Sequence, residues 1–261
     1  MGYILFTEIN DEICNKINGT LSICLGSFII LTIFATYLPQ YYKIIKSKST
    51  EGISNHYIFL GNISNFTNFY GTLLLNYTIV DCCNHVSAGE CANILLPIYQ
   101  MFSPWGAIFI MYIIYIYYDK HEENGIRKSL IYFVWFIAIF IFLFGIVGMA
   151  LILRYQNFKN NINAFGNFLN ILSTISCVVY MLPQIIMTYK NKSIGNLSLI
   201  SLAFQAPGSL LVFIYQNIVS KAPISIGIPY FFSFVFQTIL LIMGLYYERK
   251  KKRAVSYAPI L

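Results

Sequence analysis

Seven stretches of this chain are apolar enough and long enough to cross a bilayer, and the charged residues collect in the short segments between them. The stretches run approximately Thr20 to Ile45, Tyr57 to Asn76, Ile94 to Tyr118, Leu130 to Leu153, Ala164 to Tyr189, Leu197 to Val219 and Ile224 to Tyr247. A helix needs about 20 mostly apolar residues to span the hydrocarbon core. Open sheet edges are excluded there because their backbone groups would go unpaired. The pattern therefore predicts an all-α membrane protein with seven transmembrane helices.

Polar residues inside the spans fall into stripes. Gly61, Asn65, Asn68 and Thr72 recur at intervals of four, three and four, which stacks them on one helix face; Ile63, Phe66, Tyr70 and Leu73 take much of the other. The fifth span repeats the spacing with Asn163, Asn167, Asn170 and Thr174, and the sixth carries Ser201, Gln205, Gly208 and Gln216. Lipid offers a carboxamide no partner, so these faces turn to protein or to a water-filled path. Interhelical hydrogen bonding accounts for a single Asn. Three stripes point to a lined path, with Asn65, Asn68, Thr72, Asn167, Asn170, Thr174 and Gln205 as its candidate residues.

Composition agrees with lipid as the main solvent. Of 261 residues, 57% are hydrophobic and 10% charged, well under the quarter usual in soluble domains; mean hydropathy is +0.65. The net charge of +7 forms no basic face interleaved with stacking aromatics, so nucleic acid is not an expected partner. It reads instead as orientation. Lys43, Lys46, Lys48, Lys120, Arg127, Lys128, Lys190, Lys192 and Arg249 to Arg253 fall on one side, thirteen of the 17 basic residues. Lys16, Arg154, Lys159 and Lys221 fall on the other. The amino terminus is thus expected in the lumen or outside and the carboxyl terminus in the cytoplasm. With Glu8, Asp11 and Glu12 and no basic start, the first residues do not read as a cleaved signal peptide.

Under this topology Cys14, Cys82, Cys83 and Cys91 are luminal disulfide candidates with three pairings open. His85 lies nearby, but the spacing fits no zinc pattern, and neither a metal nor another cofactor is expected. Asn18 and Asn76 head luminal Asn-x-Thr glycosylation sequons.

A shift of 144 residues lays Leu38-Pro39-Gln40 on Leu182-Pro183-Gln184, and with them Lys46 on Lys190, Lys48 on Lys192, Ser49 on Ser193 and Ser54 on Ser198. Gly52 and Gly195 match only with a one-residue gap. The halves are duplicates of one three-helix unit. Their first helices, spans one and five, head the same way across the bilayer, which makes the repeat parallel, with the unmatched fourth span as the linker that restores the heading. The expected segments are a luminal stretch 1–19, a first bundle 20–118, a connection 119–163 holding the linker, a second bundle 164–247 and a basic tail 248–261.

These residues resemble the PQ-loop repeat proteins, among them cystinosin-like exporters and the more distant SWEET carriers. The strongest pieces are Tyr37 to Gln40 running to Lys48-Ser49-Thr50-Glu51-Gly52-Ile53-Ser54, and Met181 to Gln184 running to Lys192-Ser193. The resemblance covers essentially the whole chain and implies a three-plus-one-plus-three fold with a central path and alternating access. One departure matters. Cystinosin-like relatives couple export to protons through an aspartate about where Gln205 stands, and glutamine does not titrate. All ten acidic residues of this chain fall in loops or tails, so a neutral solute is expected rather than a cationic one.

Proline inside a helix lacks a donor for the carbonyl four residues back, here Ala35 and Val179, and its ring presses on that turn. Paired at equivalent positions, Pro39, Gln40, Pro183 and Gln184 read as hinges between two rocking bundles. At the carboxyl end, Arg249 to Arg253 abuts the headgroup region. Tyr257-Ala258-Pro259-Ile260 has the form of a tyrosine-based sorting signal, Tyr257 and Ile260 being its anchors, which points to a sorting adaptor as partner and to endosomal, lysosomal or vacuolar membranes. No nucleophile–base cluster sits at helical spacing, so an enzyme is not expected. A small-solute carrier is the leading reading. A non-transporting regulator of membrane or lipid organisation is the alternative, and a seven-helix receptor, which an internal duplication argues against, comes last. Oligomeric state stays open.

Overall fold

The computed structural model describes residues 20–76, 86–118, 159–220 and 222–256, together with residues 80, 83, 139 and 143. The expected fourth span lies outside the described residues apart from positions 139 and 143. So do Cys14, Asn18, Cys82, Tyr257 and Ile260.

Every regular element among the described residues is helical. In chain order they are α1 (Thr20–Ser47), α2 (Asn55–Leu75), the short α3 (Ala88–Ile94), α4 (Leu96–Tyr118), α5 (Lys159–Asn191), α6 (Leu199–Ile214), a π turn (Tyr215–Val219) and α7 (Ile224–Ser256). Five segments are long and apolar enough to cross a membrane: Ile23–Ser47, Leu96–Tyr118, Ile162–Asn191, Leu199–Val219 and Ile224–Lys251. α2 is not among them, because its asparagines and threonines dilute the apolar content. It spans 21 residues with eleven buried, so its neighbours rather than lipid cover it.

The ends of the helices have local causes. Ser54 and Ser198 cap α2 and α6, each hydroxyl accepting from the backbone N–H three residues on, at Tyr57 and Ser201. α3 opens on a full capping box between Ser87 and Glu90. α7 runs past the expected end at Tyr247 and keeps the basic run Arg249–Arg253 helical. Lysine and arginine are good helix formers, and cations suit the negative end of the helix dipole.

Each bundle sets its third helix between the other two: α4 packs on both α1 and α2, and α7 on both α5 and α6. The bundles meet along two seams, α2 against α5 and α1 against α6, which closes a ring of six helices. The pseudo-two-fold axis exchanges these seams, yet they differ. At the α2–α5 seam, the Ser64 hydroxyl donates to the Ser173 carbonyl at 2.8 Å and the Ser173 hydroxyl returns the bond to the Ser64 carbonyl at 2.7 Å. Two turns on, the backbones of Gly71 and Gly166 approach so closely that a Cβ on Gly71 would lie 2.8 Å from the Gly166 carbonyl oxygen. Small residues at a membrane interface let backbones approach in this way. The α1–α6 seam is more open.

Candidate functional site

The site begins where α1 and α5 end. Pro39 and Pro183 lie within these helices, and the helix continues on both sides of each. The next residue in each case, Gln40 or Gln184, is almost wholly buried. Beyond the helix ends, Lys48 and Lys192 adopt left-handed backbone with φ of 48° and 47°, a conformation that costs a side-chain-bearing residue about 1–2 kcal/mol. Its recurrence at equivalent positions shows both loops leaving their helices by the same turn.

Each glutamine reaches across to the other repeat. Gln40 Nε2 donates to the Asn196 carbonyl at 3.1 Å, and its Oε1 accepts from the Ser198 backbone N–H at 2.6 Å. Gln184 Nε2 donates to the Gly52 carbonyl at 3.0 Å, and its Oε1 accepts from the Ser54 N–H at 3.0 Å. One carboxamide thus bridges the cap residue and the residue two before it, and the pattern is reciprocal. Between the two clasps the loops touch: the Asn196 N–H donates to the Glu51 carbonyl at 2.9 Å, and a Cβ on Gly52 would sit 2.6 Å from the Gly195 Cα. Both glycines have positive φ, 85° and 58°, which a side chain would strain. Lys43 adds bonds to the Gly195 and Leu197 carbonyls at 3.0 and 2.8 Å. Its place in the second repeat is Met187, so the lock is not fully symmetric.

Above the clasps Tyr57 and Tyr180 pack edge to face, with ring centroids 5.5 Å apart, beside Met111, Met181, Leu202 and Leu240 in the largest buried cluster. Over this floor sits a cavity of about 330 Å3, at the low end of the range for small-molecule sites, about 300–1,000 Å3. Its polar lining comes from hydroxyls and carboxamides, Asn65, Gln205, Ser209, Ser233 and Gln237 among them, and no charged side chain lines it among the described residues.

Two segments of the chain, residues 21–81 and 165–226, match the sequence model of the PQ loop repeat. The chain carries two PQ-loop repeats. Each matched segment contains one proline–glutamine pair, the loop after it and the helix that the opposite clasp holds. The chain is also 24% identical over 246 residues to an uncharacterized protein of Schizosaccharomyces pombe, covering 86% of this chain and 80% of that protein. Among solved structures, a eukaryotic SWEET transporter superposes with a TM-score of 0.52 at 14% identity, covering 92% of this chain and 99% of the other. At that identity the likeness establishes the fold: an all-α membrane architecture built from two parallel PQ-loop bundles.

Of the polar stripes, Asn65 and Gln205 line the cavity. Asn68 is buried against the sulfur of Met101 at 3.5 Å, and Thr72 and Asn170 are fully buried near the glycine contact of α2 and α5. Thr174 bonds back to the Asn170 carbonyl, and Asn167 accepts from Ser225 at 2.8 Å. Gln216 donates to Gln100 at 2.9 Å, both side chains fully buried. The π turn, with its wider i to i+5 bond from the Ser220 N–H to the Tyr215 carbonyl, brings Gln216 into the bundle. Of the cysteine candidates, Cys83 and Cys91 form a disulfide across eight residues of sequence separation. Asn76 caps the end of α2. Sequence reasoning missed the tyrosine floor and the α1 wall of Thr32 and Thr36. The spacing of four between Thr32 and Thr36 on α1 was the available signal.

Proposed function

We propose that this chain is a carrier of a small uncharged solute that works by alternating access between its two PQ-loop bundles. The observation that carries this reading is the central cavity between the repeats, shut at one end by two reciprocal glutamine clasps. A gate made of hydrogen bonds between bundles opens when the bundles rock, and Pro39 and Pro183, one residue before each clasp, are the natural hinges. The clasp end carries Lys43, Lys46, Lys48, Lys190, Lys192 and Arg249 to Arg253, which supports a cytoplasmic placement of that end. The sorting-type sequence that follows α7 supports an endosomal, lysosomal or vacuolar membrane as the protein's location. Among the described residues no carboxylate lines the cavity wall, which favours uniport over proton coupling in this reading.

The test is flux into liposomes containing the purified protein, across a panel of neutral solutes. Saturable uptake that is lost in Pro39→Ala and Pro183→Ala supports the carrier. Uptake driven by a pH gradient alone overturns the uniport assignment. The absence of flux for every solute overturns the carrier and leaves a regulator of membrane organisation.

A further inference from the structure

The cavity has walls of two kinds. Of its described lining residues, Phe28, Phe204, Pro207 and Leu211 are exposed, and all four belong to α1 and α6. The lining contributed by α2, α4, α5 and α7 is buried apart from Asn65, which is half-buried. Phe28, Phe204 and Leu211 are 57%, 60% and 51% exposed at depths where the surrounding solvent is lipid. The cavity therefore reaches the bilayer through the α1–α6 seam. A Cβ built on Gly208, on the cavity wall of α6, meets nothing within 4 Å. At the pseudo-equivalent α2–α5 seam, Gly71 and Gly166 are in contact, and the described residues form no such mouth there.

Among the described residues, packed side chains lie at both ends along the membrane normal. Tyr37, Tyr57 and Tyr180 floor the cavity above the clasps. At the other end Ile29, Val212 and Tyr230 of the lining belong to a packed cluster with Met101, Tyr215 and Ile226. Among the described residues, the wall with exposed lining is the one formed by α1 and α6.

Resting on the carrier reading of this same cavity, we infer that its ligand is a neutral amphiphile that enters sideways from the bilayer between α1 and α6. The apolar part lies along Phe28, Ile29, Ile33, Phe204, Leu211 and Val212 near the mouth. The head is a hydroxyl or amide. Gln237 accepts from Ser209 at 3.2 Å through its Oε1, which leaves its amide donors for a ligand. Asn65 donates to its own Gly61 carbonyl at 2.8 Å, which leaves its carbonyl as acceptor. A charged head is rejected because no counter-charge lines the cavity among the described residues, and an unpaired ion buried there costs several kcal/mol. A ligand delivered by lipid has the further advantage of high local concentration at the mouth.

The test uses the full chain in phosphatidylcholine nanodiscs with a trace of a long-chain alcohol carrying a diazirine and an alkyne, and in parallel the same probe with a phosphate head. After photolysis, peptide mapping is expected to find the alcohol on residues 28–36 and 204–212. In Gly208→Phe, whose new ring occupies the open space at the mouth, labelling there falls about tenfold, equivalent to about 1.4 kcal/mol of lost affinity. Leu211→Trp, a change on an exposed face, serves as the second variant should Gly208→Phe lose thermal stability. Labelling of the seam that persists in a stable mouth variant overturns the inference, as does equal labelling by the phosphate probe, which marks ordinary annular lipid. Saturable uptake of a water-soluble solute, unaffected by Gly208→Phe and with no seam labelling, overturns the sideways route and leaves the carrier standing. Seam labelling with no flux sinks the carrier and supports the site.

Discussion

Replacing Gln184 by Leu keeps the volume and removes both arms of one clasp. The Gly52 carbonyl and the Ser54 N–H lose their partners, at 3.0 Å each. A buried backbone group left unpaired costs about 1–3 kcal/mol. The loops lie close to water once parted, so the low end applies to each, about 2 kcal/mol for the clasp. That shifts the closed-to-open ratio about 30-fold. A gate closed 99 times in 100 then closes about three times in four. The assay is double electron–electron resonance between spin labels on Lys46→Cys and Lys190→Cys, exposed and equivalent positions near the ends of α1 and α5, in a Cys24→Ser background. Gln184→Leu is expected to add a longer-distance population. Gln40→Leu should do the same, to a smaller extent because Lys43 still holds the Gly195 and Leu197 carbonyls. Since both clasps close one gate, the double variant should gain less than the two single effects together. Identical distance distributions in all four proteins would refute the idea that these carboxamides hold the bundles shut.

Gly71→Leu drives a side chain into the Gly166 carbonyl and Asn170, so it should lower the detergent melting temperature and shift it by more than Gly208→Leu, where the Cβ meets nothing. In α3 the Glu90 carboxyl sits below its ordinary pKa because the backbone N–H and hydroxyl of Ser87 both donate to it. A depressed carboxyl stabilises the fold above the unfolded-state pKa, and that contribution disappears as pH falls through the lower folded value. The protection of the Ser87 amide against hydrogen exchange, relative to its intrinsic rate at each pH, should therefore fall on acidification, and Glu90→Ala should abolish that pH dependence.

The duplication was legible in sequence because the matches at a shift of 144 residues are local: proline, glutamine, lysine turn and serine cap lie within 17 positions in each copy. The serines reappear as helix caps. What each glutamine bonds to was not legible, since its partners lie 130 to 158 residues away in the other repeat. The asparagine stripes were expected to turn away from lipid, but spacing alone does not separate a wall from a joint. Asn65 lines the cavity, whereas Asn167, second in its stripe as Asn65 is in the first, is half-buried and accepts from Ser225. Periodicity also missed the π turn, because a single widened turn leaves the hydrophobic repeat nearly unchanged. The open α1–α6 seam is a property of how two helices separate. Composition does not report it.

The clasps recognise amide and carbonyl groups common to any polypeptide rather than particular side chains. Thr50-Glu51-Gly52-Ile53 and Ile194-Gly195-Asn196-Leu197 have diverged at every position, and each still presents one main-chain carbonyl, that of Gly52 or Asn196, to the glutamine opposite, beside the N–H of the cap serine that follows. A lone ancestral unit would have found its missing contacts in a second copy of itself. The fused chain is in this sense a dimer tied end to end, whose halves were free to specialise because the bond between them never depended on spelling.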